Sequence, residues 1–366
     1  MGKTGFLLRI FVFILAMLAA CEFYLAWKGY GPIKASETAG RGQGVWPPLA
    51  ETASKCGWGL ESGRRMSSEQ SSAWETVLPS GRRASSPEGE RRKAGLRVLL
   101  LGGSYVFGSG LGDSQTMAWL LSRRYPDIDF ENYGNPGWGT YQCLMLEERL
   151  LELKKYDLVV YCAINDHRCR NLEYRFVGSL KPGRRFAMYP RVVPSERGEL
   201  LFFPSGSDDW PLQNVLRTVD FLHRAYIGFN CRRLQAGYDR GISGGFDRFM
   251  PAREKAFWML AERMHQKAAG HGIPFVLALL EGEWEQWRYC APPASPEYPV
   301  WKLSWPSITE PPYRIEGNTA NHPNALSNEL WFCGFVRNFE QEYGEGGRRL
   351  KENNLESHAG NDRLQK

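Results

Sequence analysis

The chain has 366 residues, 43% of them hydrophobic, and a formal net charge of +6. That suffices for one full α/β core with appendages, or for two small domains. The charge forms no basic stripe: Arg64-Arg65, Arg82-Arg83 and Arg91-Arg92-Lys93 sit in Gly/Ser-rich sequence, read as a solvated linker, which argues against nucleic acid as a partner.

The first element is apolar. Lys3 and Arg9 precede IFVFILAMLAAC, and the apolar character runs to Trp27 with only Glu22 interrupting. Three readings fit: an uncleaved spanning helix, a secretory signal with Ile10–Ala20 as its core, or a lipoprotein signal with LAAC at 18–21 and Cys21 lipidated. The aromatic FYLAW after Ala20 and Cys21 suits the interfacial end of a spanning helix, which favours the uncleaved anchor over residues 1–28. Each reading puts the rest of the chain outside the cytoplasm, in the periplasm or cell envelope. Eight cysteines include no CxxC pair, so a zinc ribbon or thioredoxin-type site is not expected. Cys143 and Cys162 fall in apolar segments as small buried hydrophobes.

Residues 29–95 read as a linker followed by a small partly ordered segment. From Leu96 the texture changes. RVLLLG at 97–102 is an apolar run without alternation, as in a strand buried on both faces. QTMAWLLSRRY predicts a helix stopped by Pro126, and IDFENYG a second strand at 128–134. TYQCLMLEERLLELKKY predicts a helix with Cys143, Leu146, Leu150 and Leu153 on one face, and DLVVYCAI a third strand at 157–164. Residues 172–250 break this rhythm as a large insertion. A helix closed by Gly270, a strand at 273–280, an irregular Trp/Pro/Tyr stretch and a helix after HPN complete a domain over 96–344. Residues 345–366 read as a polar, disordered tail. Strand and helix alternate as in βαβ units around a parallel sheet.

In such sheets, sites lie beyond the carboxyl ends of the strands. Gly102-Gly103-Ser104 follows the first strand, NYGNPGWGTYQ ends the second, Asn165-Asp166-His167 follows the third, and NTANHPN precedes the last helix. These are the parts of an acyl-transfer site without a cofactor or metal. Ser104 is the candidate nucleophile and His322 the candidate base. The Gly137 N–H and the Asn165 amide are candidate oxyanion donors, each worth about 2.7–4 kcal/mol of transition-state stabilisation. Blander roles are available to all four. Ser104 suits a cap for the next helix, Gly137 a positive φ after Pro136, Asn165 a turn cap, and His322 a helix start.

The order GGS, NYGNPGWGT, AIND, HPN resembles the four blocks of the SGNH/GDSL hydrolase superfamily, in its bacterial membrane-tethered branch. The resemblance implies a three-layer α/β/α sandwich with a parallel, flavodoxin-like sheet, here behind an N-terminal membrane helix. It also implies metal-free ester hydrolysis or O-acyl transfer, with Ser104 as nucleophile, His322 as base, and Gly137 and Asn165 at the oxyanion. Two departures stand out. Gly103 replaces the aspartate of GDS. The block before His322 reads Asn-Thr-Ala-Asn, with no carboxylate to orient the imidazole, a loss worth about four orders of magnitude where such an acid acts. Asn318 or a carbonyl in a Ser–His dyad, or Glu316, are the candidate replacements.

Three functions follow. The first is a membrane-tethered esterase cleaving acyl esters through an acyl-serine. The second is an O-acetyltransferase or deacetylase acting on an exported polysaccharide, with the acylated carbohydrate as substrate. The third is a catalytically inactive scaffold of the cell envelope, for which the missing carboxylate argues.

Overall fold

The computed structural model describes residues 3–28, 47–49, 51–52, 56, 59–60, 62–63, 65–67, 74–90, 95–171, 176–178, 186–188, 190–195, 199–203, 216–219, 221–222, 250–280, 296–303, 312–315, 322–350 and 352. Five strands make the central sheet: β1 Leu96–Gly102, β2 Ile128–Gly134, β3 Leu158–Ala163, β4 Phe275–Leu279 and β5 Val300–Lys302. All pairings are parallel and the spatial order is β5-β4-β3-β1-β2. This is the flavodoxin-like order, with its switch point between β1 and β3.

β1, β3 and β4 are apolar on both faces because helices cover both, whereas the edge strand β2 carries Asp129 and Glu131. Alternate residues of each strand join opposite cores. Leu99, Leu101, Val159, Tyr161, Phe275 and Leu277 pack on one side beneath α4 (Thr140–Leu153) and α6 (Met250–Gly270). On the other side Val98, Leu100, Val160, Val276 and Ala278 pack beneath α3 (Met117–Arg124) and α7 (Ala325–Tyr343). The three-layer α/β/α sandwich is therefore written in the period of two along each strand. Cys143, Leu146 and Leu150 are buried on the expected face of α4, and Cys162 is buried within β3.

The solvated reading of Arg82-Arg83 fails. Both guanidinium groups are buried, at 1% and 0% exposure. Arg82 Nη1 reaches both carboxylate oxygens of Asp129 at 3.0 Å and Glu131 at 3.2 Å. Glu131 also takes Lys154 at 3.0 Å, Arg97 at 3.3 Å and a hydrogen bond from the Tyr156 hydroxyl at 2.8 Å. Arg83 donates to Asp113 at 2.9 Å and to the Leu111 carbonyl at 2.7 Å, with its guanidinium over the Phe107 ring. Its backbone N–H bonds the Asn132 carbonyl at 2.9 Å. β2 is an edge strand, and this segment covers part of its free edge through that one bridge. The cluster drew the wrong inference because its partners lie on a strand far along the chain.

Two other boundaries move. The irregular stretch before the last helix contains β5, whose Trp301 is buried, as are Tyr298 and Leu303 beside it. The described part of that aromatic stretch is core, as expected for its neighbours in the sheet. Beyond Tyr343 the chain stays packed: a short turn at Glu345–Gly347 leads to Leu350, which is 2% exposed in the α3/α7 core. The rest of the polar tail, 351 and 353–366, lies outside the described residues. Within the insertion, Arg191–Pro194 pairs antiparallel with Leu200–Phe203, and Val192 is buried in the core beneath α6.

At the N-terminus, α1 (Lys3–Trp27) has 25 residues and is long and apolar enough to cross a membrane, with mean hydropathy 2.2 over Arg9–Trp27. Its single acid is satisfied: Glu22 accepts from the backbone N–H groups of Arg217 at 3.1 Å and Thr218 at 2.6 Å.

Candidate active site

The nucleophile turn follows from where glycine is unavoidable. β1 ends at Gly102, which pairs with Cys162 on one side and Gly134 on the other. A Cβ at Gly134 would lie 2.3 Å from the Phe107 nitrogen, so only glycine lets the helix after β1 fold back over β2. That helix, α2, is the single turn Ser104–Phe107. Asn132 ties it down, donating from Nδ2 to the Val106 carbonyl at 2.7 Å while its Oδ1 accepts from Gly134 N at 2.9 Å. Gly108, at φ 78°, closes the turn in the left-handed region. Ser104 sits at the first position of α2, 5% exposed. The cap position is Gly103, so the blander reading of Ser104 as the helix cap does not hold.

Gly137 lies in the next loop. Trp138 N bonds the Asn135 carbonyl at 3.2 Å, with Pro136 second and Gly137 third in the turn, at φ 83°. A turn of this form requires positive φ at that place, so the glycine is explained by geometry alone. Asn165 opens α5 (Asn165–Arg170) directly after β3, next to β1. Its Oδ1 accepts from Arg168 Nη2 at 3.1 Å, and Arg168 pairs with Glu254 of α6 at 3.6 Å. The oxygen end of the amide is thus held by a buried guanidinium.

His322 comes from the far end of the chain to the same edge. Its carbonyl accepts from Ile315 N at 2.9 Å, and Asn324, two residues on, caps α7 by accepting from Ser327 N. Hydrogen bonds from Asn324 to the Pro312 and Arg314 carbonyls pin the HPN loop. The helix start is therefore Asn324, and His322 is left outside it. The His322 ring meets Tyr105, the residue after Ser104, edge-on at 5.8 Å, and Tyr105 stacks in turn on Trp331 of α7. Burial, and then the Arg170 charge, hold the His322 imidazole below its ordinary value, while Asp166 opposes them. The ring is therefore neutral at neutral pH, the form that accepts a proton.

Sequence reasoning placed the blocks and set His167 and Arg168 beside the site as supporting or substrate contacts, but gave no role to Asp166 and Arg170 on α5. Asp166 and Arg170 form an ion pair at 2.9 Å and both act on His322. Arg170 Nη1 also donates to the Trp138 carbonyl at 2.9 Å, fixing the loop that carries Gly137. His167 is fully buried against Tyr161. The signal was present, since Asp166, His167 and Arg170 all sit in the NDHRCR run at a strand end. Asn318 and Glu316 lie outside the described residues. No group of three or more His, Cys, Asp or Glu among the described residues could hold a metal ion.

Four blocks at the carboxyl edge of a 2-1-3-4-5 parallel sheet, with the serine after the first strand, settle the architecture. The fold is a three-layer α/β/α sandwich around a parallel sheet of flavodoxin-like order. No family model matches the chain, and no curated protein matches it. Among solved structures, it is similar to a member of the lipolytic protein G-D-S-L family from Veillonella parvula, with TM-score 0.36 and 10% identity, covering 67% of this chain and 98% of that one. It is similar also to TesA, with TM-score 0.36 and 16% identity over the same shares. These likenesses concern overall shape and carry nothing about activity.

Proposed function

We propose that the protein is a membrane-tethered serine esterase that cleaves acyl esters through an acyl-serine. The observation that carries this is the meeting of two remote segments, with the His322 ring against Tyr105 beside Ser104 at the switch point of the sheet. In this reading Ser104 Oγ attacks the ester carbonyl and its proton passes to His322. The oxyanion is met by the Gly137 N–H and the Asn165 amide. His322 then gives its proton to the departing alcohol. A water, deprotonated by His322, attacks the acyl-serine, and the proton returns to Ser104 as the acid leaves.

The missing upstream carboxylate has a counterpart in this scheme. Asp166 supplies the negative charge that raises the proton affinity of His322, from the helix that carries Asn165. A pH profile reads this directly. The acid limb of kcat/KM is expected below 6.5, because the base must be unprotonated and its affinity for protons is lowered. Asp166→Asn removes an opposing charge and frees Arg170, so the limb moves to still lower pH. A limb that stays put, or moves up, contradicts the assignment.

The tether is supported by the apolar α1, and by Lys3 and Arg9 on its N-terminal side, which favour a cytoplasmic N-terminus. Docking of Glu22 on residues 217–218 would fix the catalytic domain near the membrane surface. The experiment for the reaction is stopped-flow hydrolysis of p-nitrophenyl acetate by the detergent-solubilised full chain. A burst of nitrophenol equal to the enzyme concentration is expected; slow linear release unaffected by Ser104→Ala would refute it. Product analysis with an added glycan then separates water from a sugar hydroxyl as the acceptor.

A further inference from the structure

We propose that His167 takes the place of the aspartate that the GDS block carries where this chain has Gly103, and acts as a positioning residue for the Ser104 turn. The inference rests on the esterase reading and names how its nucleophile is held.

Backbone conformation does not require glycine at 103, since φ −92° and ψ −153° are extended values open to any residue. Space requires it. A Cβ there would stand 2.8 Å from His167 Nε2, 3.4 Å from Arg170 Nη1 and 3.5 Å from the Trp138 carbonyl. The volume that a side chain at 103 would fill is occupied by an imidazole reaching across from α5.

Chemistry matches as well as volume. Gly103 is the cap of α2, where an aspartate would offer an acceptor to the first amides of the helix, and it makes no side-chain cap bond. His167 brings a ring nitrogen to that place instead. The Tyr161 hydroxyl bonds Thr140 Oγ1 at 2.9 Å and His167 Nδ1 at 2.8 Å, so the ring is held at its Nδ1 edge by a chain of hydroxyl bonds. Asn171 Nδ2 donates to the same Thr140 oxygen at 3.1 Å, and its Oδ1 accepts from Tyr141 N, which anchors the chain of bonds in α4. The ring is 0% exposed, stacked on Tyr161 at 15°, and its Nε2 has no hydrogen-bond partner among the described residues. An unpartnered buried ring nitrogen thus points at the place of the absent side chain. Burial and Arg170 keep the imidazole neutral.

The test is a cycle of Gly103→Asp, His167→Ala and the double variant in the full chain. Three quantities are read: the rate of Ser104 labelling by a fluorophosphonate, kcat and KM for p-nitrophenyl acetate, and the thermal unfolding midpoint. Each single variant is expected to slow labelling and kcat about 10- to 100-fold with KM changed less than about threefold, since geometry is lost and binding is not. In the double variant, the carboxylate fits the vacated space and both rates return to within about threefold of the parent. Equal labelling in His167→Ala and the parent, or singles whose effects simply multiply in the double, would overturn the proposal. Should the parent take no label, the esterase reading fails by itself. The swap is then judged on unfolding midpoints alone: recovery in the double supports it, and additive losses reject it. If His167→Ala does not fold, His167→Asn with Gly103→Ala closes the same cycle.

Discussion

Replacing Ser104 by alanine is expected to lower kcat/KM for p-nitrophenyl acetate by on the order of 10⁴-fold or more and to abolish the burst. The magnitude follows from covalent catalysis. Without the hydroxyl no acyl-enzyme forms, and only the oxyanion donors and binding remain to accelerate attack by water. Stability should change little, because one oxygen is removed from a small buried side chain that does not cap α2. Unfolding of the variant within about 1 kcal/mol of the parent is therefore part of the expected result. A variant that keeps the parental rate would mean that hydrolysis occurs elsewhere, and would leave the scaffold reading in force.

The largest effect on stability is expected at Arg82, far from the chemistry. Arg82→Ala leaves Asp129 and Glu131 buried on β2, with Asp129 stripped of the guanidinium that contacts both its oxygens. Burial already pushes the Asp129 carboxyl above its ordinary value, with Arg82 working against that push. Removing one partner of such a group costs about 3–5 kcal/mol, because the remaining charge stays dehydrated. For a domain of this size that lowers the melting temperature by roughly 6–20 °C. Replacing Arg82 together with Asp129 by apolar residues of similar volume should recover much of the loss, which differential scanning calorimetry can measure. A drop under about 2 °C for Arg82→Ala would show that water or a rearranged Lys154 replaces the guanidinium.

What the sequence disclosed depends on the range of the forces involved. β1, β3 and β4 were legible as apolar runs because a strand covered on both faces has no polar side to disguise it. α4 and α7 were legible from an apolar stripe and from Asn324 with Pro323 as a start signal. β5 was not, since three residues among prolines carry no period, and its burial depends on Phe335 and Tyr343 of α7. Leu350 was hidden in a polar tail for the same reason.

The candidate site divides in the same way. Ser104, Gly137, Asn165 and His322 could be placed because each stands at a strand end or before a helix, and topology alone brings strand ends together. The roles of Asp166 and Arg170, and the contact that His167 makes, could not be read. They depend on the Gly103 and Gly139 backbones being bare enough for side chains of α5 to enter, and no local pattern records a contact across two strands.

The most direct test of the account is covalent. The full chain, solubilised in detergent at pH 7.5, is incubated with a fluorophosphonate, digested and read by tandem mass spectrometry, with Ser104→Ala and His322→Ala as controls. The account predicts one phosphonylated residue, Ser104, with labelling lost in the first control and slowed by at least about 100-fold in the second. An unlabelled parent protein, or an adduct on any other serine, would contradict it.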